Sequence, residues 1–221
     1  MKTYRIASRA FVVAYMGLAI QTVNANDFTA TARYYVPAQD EDYDFGIGAE
    51  IQYRIWMSGN WGIAVAAGIS DWIAEDQYIY SSAMINGMES DFYGDISGSV
   101  YMIPLGGGLI LRQPAGDRLN LCAEAGIRYV LVESDVELDG FLGTPGVGGQ
   151  PSLNEELELD DGIIGLLRAD IEYLLGGSTR IVAGIGYQFD LEKGDAELFG
   201  QQTGENELEA FFVELGICVD I

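Results

Sequence analysis

Ionisable side chains of both signs recur at alternate positions within several apolar segments of the sequence. In chain order they are Glu50, Arg54, Glu124, Arg128, Arg168, Asp170, Glu172 and Glu214. Their spacing suggests ion pairs of Arg54 with Glu50, of Arg128 with Glu124, and of Arg168 with Asp170 or Glu172. Charges that leave water persist only when they are paired. The pattern therefore predicts a salt-bridge network along one face of successive strands.

Two groups of acidic residues are candidates for binding a hard cation. They are Asp40, Asp42 and Asp44, and then Glu155, Glu156 and Glu158. Ca²⁺ and Mg²⁺ are bound by several carboxylate oxygens, so either ion could bridge these segments. Neither group has the glycine and the bidentate glutamate that a calcium-binding helix–loop–helix requires. We favour a solvated acidic surface over a metal site.

The composition excludes several classes of chemistry. The 221 residues hold no histidine, so neither a Ser-His-Asp triad nor a histidine-ligated metal is possible. The formal net charge of −23 argues against nucleic-acid binding, which needs a basic surface. No nucleotide-binding loop or nucleophile elbow is present, and we expect no cofactor. Cys122 and Cys218 fall on strands that are not neighbours, so we expect free thiols.

The N-terminal 25 residues read as an export signal. Lys2, Arg5 and Arg9 precede an apolar run over 10–20, and Val23-Asn24-Ala25 supplies the small residues of a cleavage site. The apolar run is too short to span a bilayer as a helix. We predict cleavage after Ala25, which leaves residues 26–221 as one exported domain.

Period-two alternation of apolar and polar residues predicts an all-β domain with eight strands. Their expected ranges are 28–36, 43–57, 61–73, 93–112, 119–133, 163–175, 180–191 and 208–221. Pro104 lies inside the fourth strand, and because proline gives no ladder hydrogen bond, a bulge or a split is possible there. Every second connection is short and most of the others are long and acidic. This organisation is typical of an antiparallel up-and-down transmembrane barrel, with its long loops on the outer side.

The alternation also fits a soluble barrel whose apolar face points inward around a ligand. Three features favour the inverted, lipid-facing arrangement. The second face is rich in glycine, which a narrow lumen needs between larger side chains. The same face also carries charges of both signs, which persist in a lumen only when they are paired. Tyrosine and tryptophan cluster near strand ends, as in interfacial girdles; these are Tyr34, Tyr43, Trp56, Trp61, Trp72, Tyr129, Tyr173 and Tyr187. Eight strands leave room in the lumen for side chains and little else, so we expect the charges to fill it rather than to gate a channel.

The C-terminal residues resemble the insertion signal of bacterial outer-membrane barrels. Glu214, Gly216, Val219 and Ile221 have the spacing of that signal, although its last residue is usually aromatic. The segments 103–106 (IPLG), 123–129 (AEAGIRY) and 183–187 (AGIGY) extend the resemblance to the eight-stranded outer-membrane β-barrel family. That family includes the membrane domain of outer-membrane protein A, the opacity proteins and the "porin family" proteins. These motifs are loose, and they indicate the architecture rather than a subfamily.

The resemblance implies a Gram-negative outer-membrane protein with a structural or surface-interaction role. It implies outer-membrane lipid and the barrel-assembly machinery as partners; divalent cations or extracellular ligands are further possibilities. Two alternatives stay open: a narrow cation-preferring pore or small-solute conduit, and a soluble periplasmic ligand-binding barrel. Enzymes with this architecture, such as lipid A deacylases, palmitoyl transferases and omptin proteases, use histidine. We therefore expect no enzymatic activity.

Overall fold

The computed structural model describes the backbone of residues 26–38, 43–57, 60–74, 77–85, 88–143, 152–156, 158–198 and 201–221. Side chains are described for 26–38, 43–57, 60–73, 97–136, 158–196 and 207–221. The export signal predicted over 1–25, with its cleavage point after Ala25, lies outside the described residues. Within the described residues, the chain has no helix of the length and apolar content that crossing a bilayer requires.

Thirteen β-strands make up the regular structure of the described residues. They are β1 (Asn26–Pro37), β2 (Tyr43–Trp56), β3 (Trp61–Ala74), β4 (Gln77–Ile85), β5 (Met88–Pro114), β6 (Leu119–Gly143), β7 (Ser152–Glu156), β8 (Glu158–Leu159), β9 (Gly162–Gly176), β10 (Thr179–Glu192), β11 (Gly194–Leu198), β12 (Gln201–Asn206) and β13 (Ala210–Asp220). Eight of them pair antiparallel in the cyclic order β1-β2-β3-β5-β6-β9-β10-β13 and back to β1. The sheet is therefore a closed eight-stranded barrel, as the alternation predicts.

The short connections and both ends of the described chain lie at one end of the barrel. Gly116 and Gly177 have positive φ values of 120° and 59° in the turns after β5 and β9, a conformation that glycine adopts without a steric penalty. The backbone N–H of Ile221 donates to the carbonyl oxygen of Asn26 at 2.9 Å. We call this end the turn side and the opposite end the loop side.

Strand structure extends further on the loop side than the sequence indicated. The segments 74–92, 134–162 and 192–207, which we expected to be loops, contain β4, parts of β5 and β6, and β7, β8, β11 and β12. Strand β6 reaches Gly143 instead of residue 133. The alternation of apolar and polar residues continues beyond residue 133 of β6. Its polar positions are acidic, however, so this part of the sequence resembles a solvated loop. Two extensions result: a sheet in the order β4-β5-β6-β7, and a small sheet in the order β12-β11-β8.

Pro104 interrupts hydrogen bonding without breaking its strand. On the β6 side the ladder runs through Pro104 opposite Val130 with no change of register. On the β3 side the paired residues stop at Ala67 opposite Leu105 and resume at Ser70 opposite Met102 in the same register. The strand therefore has neither the bulge nor the split that the sequence left open. The ladder loses bonds locally, because proline has no N–H to donate.

The apolar face of the barrel points outward. Many large apolar side chains on the outer surface are more than half exposed; examples from six barrel strands are Ile47, Leu109, Ile127, Leu167, Ile185 and Leu215, at 55, 62, 57, 52, 63 and 63%. Along β1 the alternation is unbroken from Asp27 to Pro37, with Asp27, Thr29, Thr31 and Arg33 buried inside. This is the reverse of a soluble barrel, which buries its apolar face.

The predicted aromatic girdle is only partly on the outer surface. Tyr34, Trp61, Tyr129 and Tyr173 are between 44 and 46% exposed and face outward. Tyr43, Trp56 and Trp72 were assigned wrongly, because they are buried inside at 8, 7 and 1% exposure. Trp56 and Trp72 fall on the glycine-and-charge face of their strands. Tyr43 is turned inward by a register shift between Tyr43 and Phe45.

Candidate functional site: the charged lumen

The lumen of the barrel is divided along its axis into three zones. An apolar zone fills the loop side, built from Tyr35, Tyr43, Trp72, Val100, Met102, Val130, Val132, Val136, Ile164, Leu166, Leu208, Ala210 and Phe212. A small apolar cluster of Trp56, Ala64 and Ile110 lies on the turn side. We call these the loop-side plug and the turn-side plug. The charged residues begin below the loop-side plug and extend past the turn-side plug, where Arg180 pairs with Asp220, whose side chain is 47% exposed.

Six arginines and six carboxylates form the charged zone within the described residues. The arginines are Arg33, Arg54, Arg112, Arg128, Arg168 and Arg180, and the acids are Asp27, Glu50, Glu124, Asp170, Glu172 and Glu214. Of the twelve side chains, the most exposed is Arg112 at 13%. Equal numbers of each sign leave the zone with no formal net charge, which is what burial requires.

The group of charges nearer the loop side centres on Glu50. Arg33 binds Glu50 through both nitrogens of its fork, with Nη1 at 2.9 Å from Oε2 and Nη2 at 2.6 Å from Oε1. The Nε of Arg33 donates to Glu214 at 2.8 Å. Arg128 lies 3.6 Å from Glu50 and donates to Glu124 at 2.8 Å. Arg33 of β1 thus binds carboxylates on both neighbouring strands, Glu50 on β2 and Glu214 on β13.

Arg168 is the most shared cation of this group. Its Nε lies 2.6 Å from Glu214 and 2.8 Å from Asp170, and its Nη1 lies 3.4 Å from Glu50 and 3.6 Å from Glu124. A planar guanidinium spreads five N–H donors over three nitrogens, whereas an ammonium has three donors on a single nitrogen. Arg168 therefore contacts four carboxylates from four strands.

The group nearer the turn side is built around Glu172. Arg54 donates to Glu172 at 2.5 Å, and Arg112 and Arg180 lie 3.2 and 3.3 Å from the other oxygen of Glu172. Asp27 accepts hydrogen bonds from Trp56 Nε1 at 2.8 Å and from Arg180 at 3.1 Å. These contacts join strands from opposite sides of the barrel through its centre.

Two residues connect the two groups. Asp170 binds Arg168 and also lies 3.5 Å from Arg54. Gln52 donates to Glu124 at 2.6 Å and accepts a hydrogen bond from Arg54. The charges consequently form one continuous network rather than isolated pairs.

All eight residues of the expected network lie in this zone, and Arg128 contacts Glu124 and Arg168 contacts Asp170 as the spacing suggested. Arg54, however, contacts Glu172, Asp170 and Asp27, while Glu50 is bound by Arg33, Arg128 and Arg168. The network also includes Asp27, Arg33, Arg112 and Arg180, which are not among those eight. The alternation of β1 was the signal that would have found Asp27 and Arg33.

The plugs are tied to the charged zone by aromatic contacts. The Arg33 guanidinium lies 4.6 Å from the ring centre of Phe212 in the loop-side plug. The Arg112 guanidinium lies 3.9 Å from the ring centre of Trp56 in the turn-side plug. Cations over aromatic faces contribute favourably, more so when they are desolvated. The plugs and the charges are therefore packed as one interior.

The remaining sequence candidates are not assembled into a site by the described residues. Asp40 and Asp42 lie outside the described residues, as do the side chains of Glu155 and Glu156, while Asp44 and Glu158 are exposed. No group of three or more Cys, Asp or Glu among the described residues is arranged to hold a metal ion. Cys122 and Cys218 face the lumen as free, buried thiols.

The expected insertion signal lies on β13 and just after it. Glu214 points into the lumen and Gly216 packs against β1, while Ile221 is 73% exposed next to Asn26. Val219 pairs with Phe28 of β1 and Thr179 of β10 at the turn side. The segment therefore closes the barrel between its first and seventh barrel strands.

The fold is shared with solved outer-membrane barrels. Neisserial surface protein A is 12% identical, with 90% of this chain and 100% of that chain covered and a TM-score of 0.52. The outer membrane protein OprG from Pseudomonas aeruginosa is 10% identical, with 91% and 97% covered and a TM-score of 0.53. No family model matches the sequence, and no curated protein matches it significantly. At these identities the likeness is one of fold.

Proposed function

We propose that the protein is a bacterial outer-membrane β-barrel with a structural or surface-interaction role and no transport activity. The observation that carries the proposal is that the apolar face of the barrel strands points outward and the charged face points inward. A closed barrel that exposes apolar side chains all round and buries twelve charges is stable in lipid and poorly suited to water. In this proposal residues 1–25 direct export, and the loop side carries its acidic segments outside the cell.

The packing of the lumen supports a structural role over conduction. A water-filled path would need a polar route along the whole axis. Trp72 and Phe212 on the loop side and Ile110 on the turn side are each 2% exposed or less, and the charges between the plugs are paired. An eight-stranded barrel is just wide enough for side chains to fill.

The proposal is tested by folding and inserting the protein without its first 25 residues. We expect heat-modifiable mobility on a denaturing gel, partition into the detergent phase, and no stable conductance in planar bilayers. A monomer that stays folded in plain buffer would contradict the membrane assignment. Mass determination of the exported protein tests the cleavage after Ala25.

One observation favours a narrow cation-preferring pore as the second candidate. Arg168 lies within 3.6 Å of four carboxylates, so its ion pairs can be exchanged without leaving the arginine uncompensated. Such an exchange would still have to displace the loop-side plug. Reproducible cation-selective openings of the unmodified protein would establish this candidate in place of the first.

A further inference from the structure

Strand β4 presents an edge of the extension sheet that no described strand occupies. Its nine residues, Gln77–Ile85, pair along their whole length with β5 and with no other described strand. Strand β2, which pairs with β3, begins only at Tyr43, opposite Ala74, the last residue of β3. The edge of β4 thus continues beyond the point where the barrel wall ends.

An open edge of this length is a template for another strand. Its N–H and C=O groups alternate between the paired and the open side, so half of them face away from β5. Proteins usually protect such edges with charges, proline, short length or a covering segment. The sequence of β4 contains no proline and no charged residue, in a chain with a formal net charge of −23.

The other open edges of the loop-side extensions carry such protection. Strand β7 is five residues long and ends in Glu155 and Glu156. Strand β12 is six residues long and contains Gly204 and Glu205. Among the described extension strands, β4 is therefore the long, uncharged edge.

The register gives the sheet beside this edge two different faces. On β5, Glu89, Asp91 and Asp95 share one face because they occupy alternate positions, opposite Met84, Ser82 and Tyr78 of β4. On β6, Asp139 lies opposite Asp95 on that same face. The positions in between belong to the opposite face of the sheet. They are mainly apolar, with Ile79, Phe92, Ile96, Leu138 and Leu142 as examples.

This two-faced pattern defines the strand that would fit. A strand added to β4 would lie two strand spacings, about 10 Å, from β5. That distance is within about one screening length at 0.1 M salt, so the acidic face would attract cationic side chains. The residues of the added strand that lie on the opposite face would extend the apolar face of the sheet.

From the open edge and this charge pattern, we infer that β4 is a docking site for an extended segment of another protein in which basic and apolar residues alternate. Main-chain hydrogen bonds would supply affinity and the alternating side chains specificity. A second copy of this chain fits less well, because two acidic faces would be brought together. The inference rests on the proposed function, which places the loop side outside the cell.

The test uses the folded barrel in lipid nanodiscs and two nine-residue peptides. The strand peptide is Lys-Val-Lys-Val-Thr-Val-Lys-Val-Lys, and the control peptide has two of its valines replaced by proline. We expect the strand peptide to bind about tenfold tighter or more, because proline prevents strand pairing. Hydrogen exchange should then slow at alternate amides of 77–85. Equal binding of both peptides, or protection confined to other segments, would overturn the inference.

Two neighbouring proline variants locate the binding edge. In an antiparallel pair, one of Ser81 and Ser82 directs its N–H to β5 and the other directs it to the open side. Of Ser81→Pro and Ser82→Pro, one should therefore lose peptide binding while the β4–β5 amides stay protected. Thr203→Pro on the edge of β12 is the matched control and should bind normally. If both variants keep peptide binding together with β4–β5 protection, β4 is not the site.

Two further readouts separate the other outcomes. Protection of β4 that rises with protein concentration in the absence of peptide would show a second copy on the edge, and would contradict the inference. Heat-modifiable mobility is measured on the same samples. A barrel that inserts normally but does not bind the strand peptide would refute the docking site and leave the proposed function standing.

Discussion

Arg33 of β1 binds Glu50 of β2 through a two-pronged ion pair, with N–O distances of 2.6 and 2.9 Å, while its third nitrogen holds Glu214 of β13. The side chain thereby joins the first barrel strand to both of its neighbours from inside. Both partners of the pair are buried, with side chains 3 and 2% exposed. Removal of one member leaves a buried charge that only the surrounding network can compensate.

Replacing Arg33 alone is therefore expected to be costly. We predict that Arg33→Met lowers the free energy of unfolding by about 3–5 kcal/mol, the range for breaking a buried ion pair. Arg33→Met combined with Glu50→Gln restores the charge balance, so its cost should be below the sum of the two single changes by about 1–3 kcal/mol. Urea unfolding in detergent micelles, followed by tryptophan fluorescence, measures all three variants. Additive costs would show that the pair is not coupled.

Arg168 separates the effect of charge from that of geometry. Its four carboxylate contacts use nitrogens on different sides of the guanidinium. Arg168→Lys keeps the charge but cannot reach all four, so we predict a loss of about 1.5–3 kcal/mol, the worth of one hydrogen bond to a charged group. Arg168→Met should cost more in the same unfolding assay. Arg118→Lys, in the exposed turn after β5, is the control and should stay within about 0.5 kcal/mol.

Close packing of the lumen wall is tested at Gly186. A Cβ atom there would lie 2.1 Å from the Phe212 ring and 2.8 Å from the carbonyl oxygen of Leu167. Gly186→Ala should destabilise the barrel by about 1–3 kcal/mol, because overpacking displaces the ring. Gly176→Ala is the matched control, since a Cβ there meets no atom within 4 Å. Equal stability of the two variants would mean that Phe212 moves freely.

The barrel strands could be predicted from sequence because their signal is local. Each strand alternates apolar and polar residues over its own length, and the short turns carry glycine. The strand extensions were missed because Glu137 and Asp139 occupy the polar positions of β6. Acidic residues at those positions are compatible with either a loop or a strand that extends beyond the barrel wall.

The partners within the network could be predicted only in part. Arg33 lies directly opposite Glu214, and Glu124 directly opposite Arg168, in neighbouring strands, so the register specifies those pairs. Arg54 instead reaches Glu172 of β9, which is not next to β2 in the barrel. Contacts across the lumen depend on the tilt and offset of all eight strands, which no single segment of sequence encodes.

The two thiols give a test of lumen accessibility. Cys218 and Cys122 are 0 and 4% exposed and are not joined to each other. We predict that a water-soluble maleimide modifies neither thiol in the folded barrel and both in urea. The intact mass should be the same with and without reductant. Rapid labelling of the folded protein would show that water reaches the lumen, and a mass change on reduction would show a disulfide.

The positions of Trp72 and Trp56 in the lumen predict which substitutions would let ions pass through the barrel. Trp72 packs against Tyr35 and Tyr43 at ring distances of 5.2 and 5.5 Å on the loop side, while Trp56 stacks on Arg112 at the turn side. Because the paired charges between the two indoles stay packed, removing one indole leaves the rest of the lumen filled. We therefore expect Trp72→Ala and Trp56→Ala singly to leave ion flux at its low level.

The double variant Trp56→Ala/Trp72→Ala should raise ion release from liposomes and produce openings in planar bilayers, because both apolar barriers are then thinned. Trp61→Ala, which removes an outward-facing indole of 44% exposure, is the matched control and should not conduct. Heat-modifiable mobility of every variant verifies that the barrel is folded. If the unmodified protein already conducts as well as the double variant, the plugs do not close the lumen and the pore becomes the better account of its function.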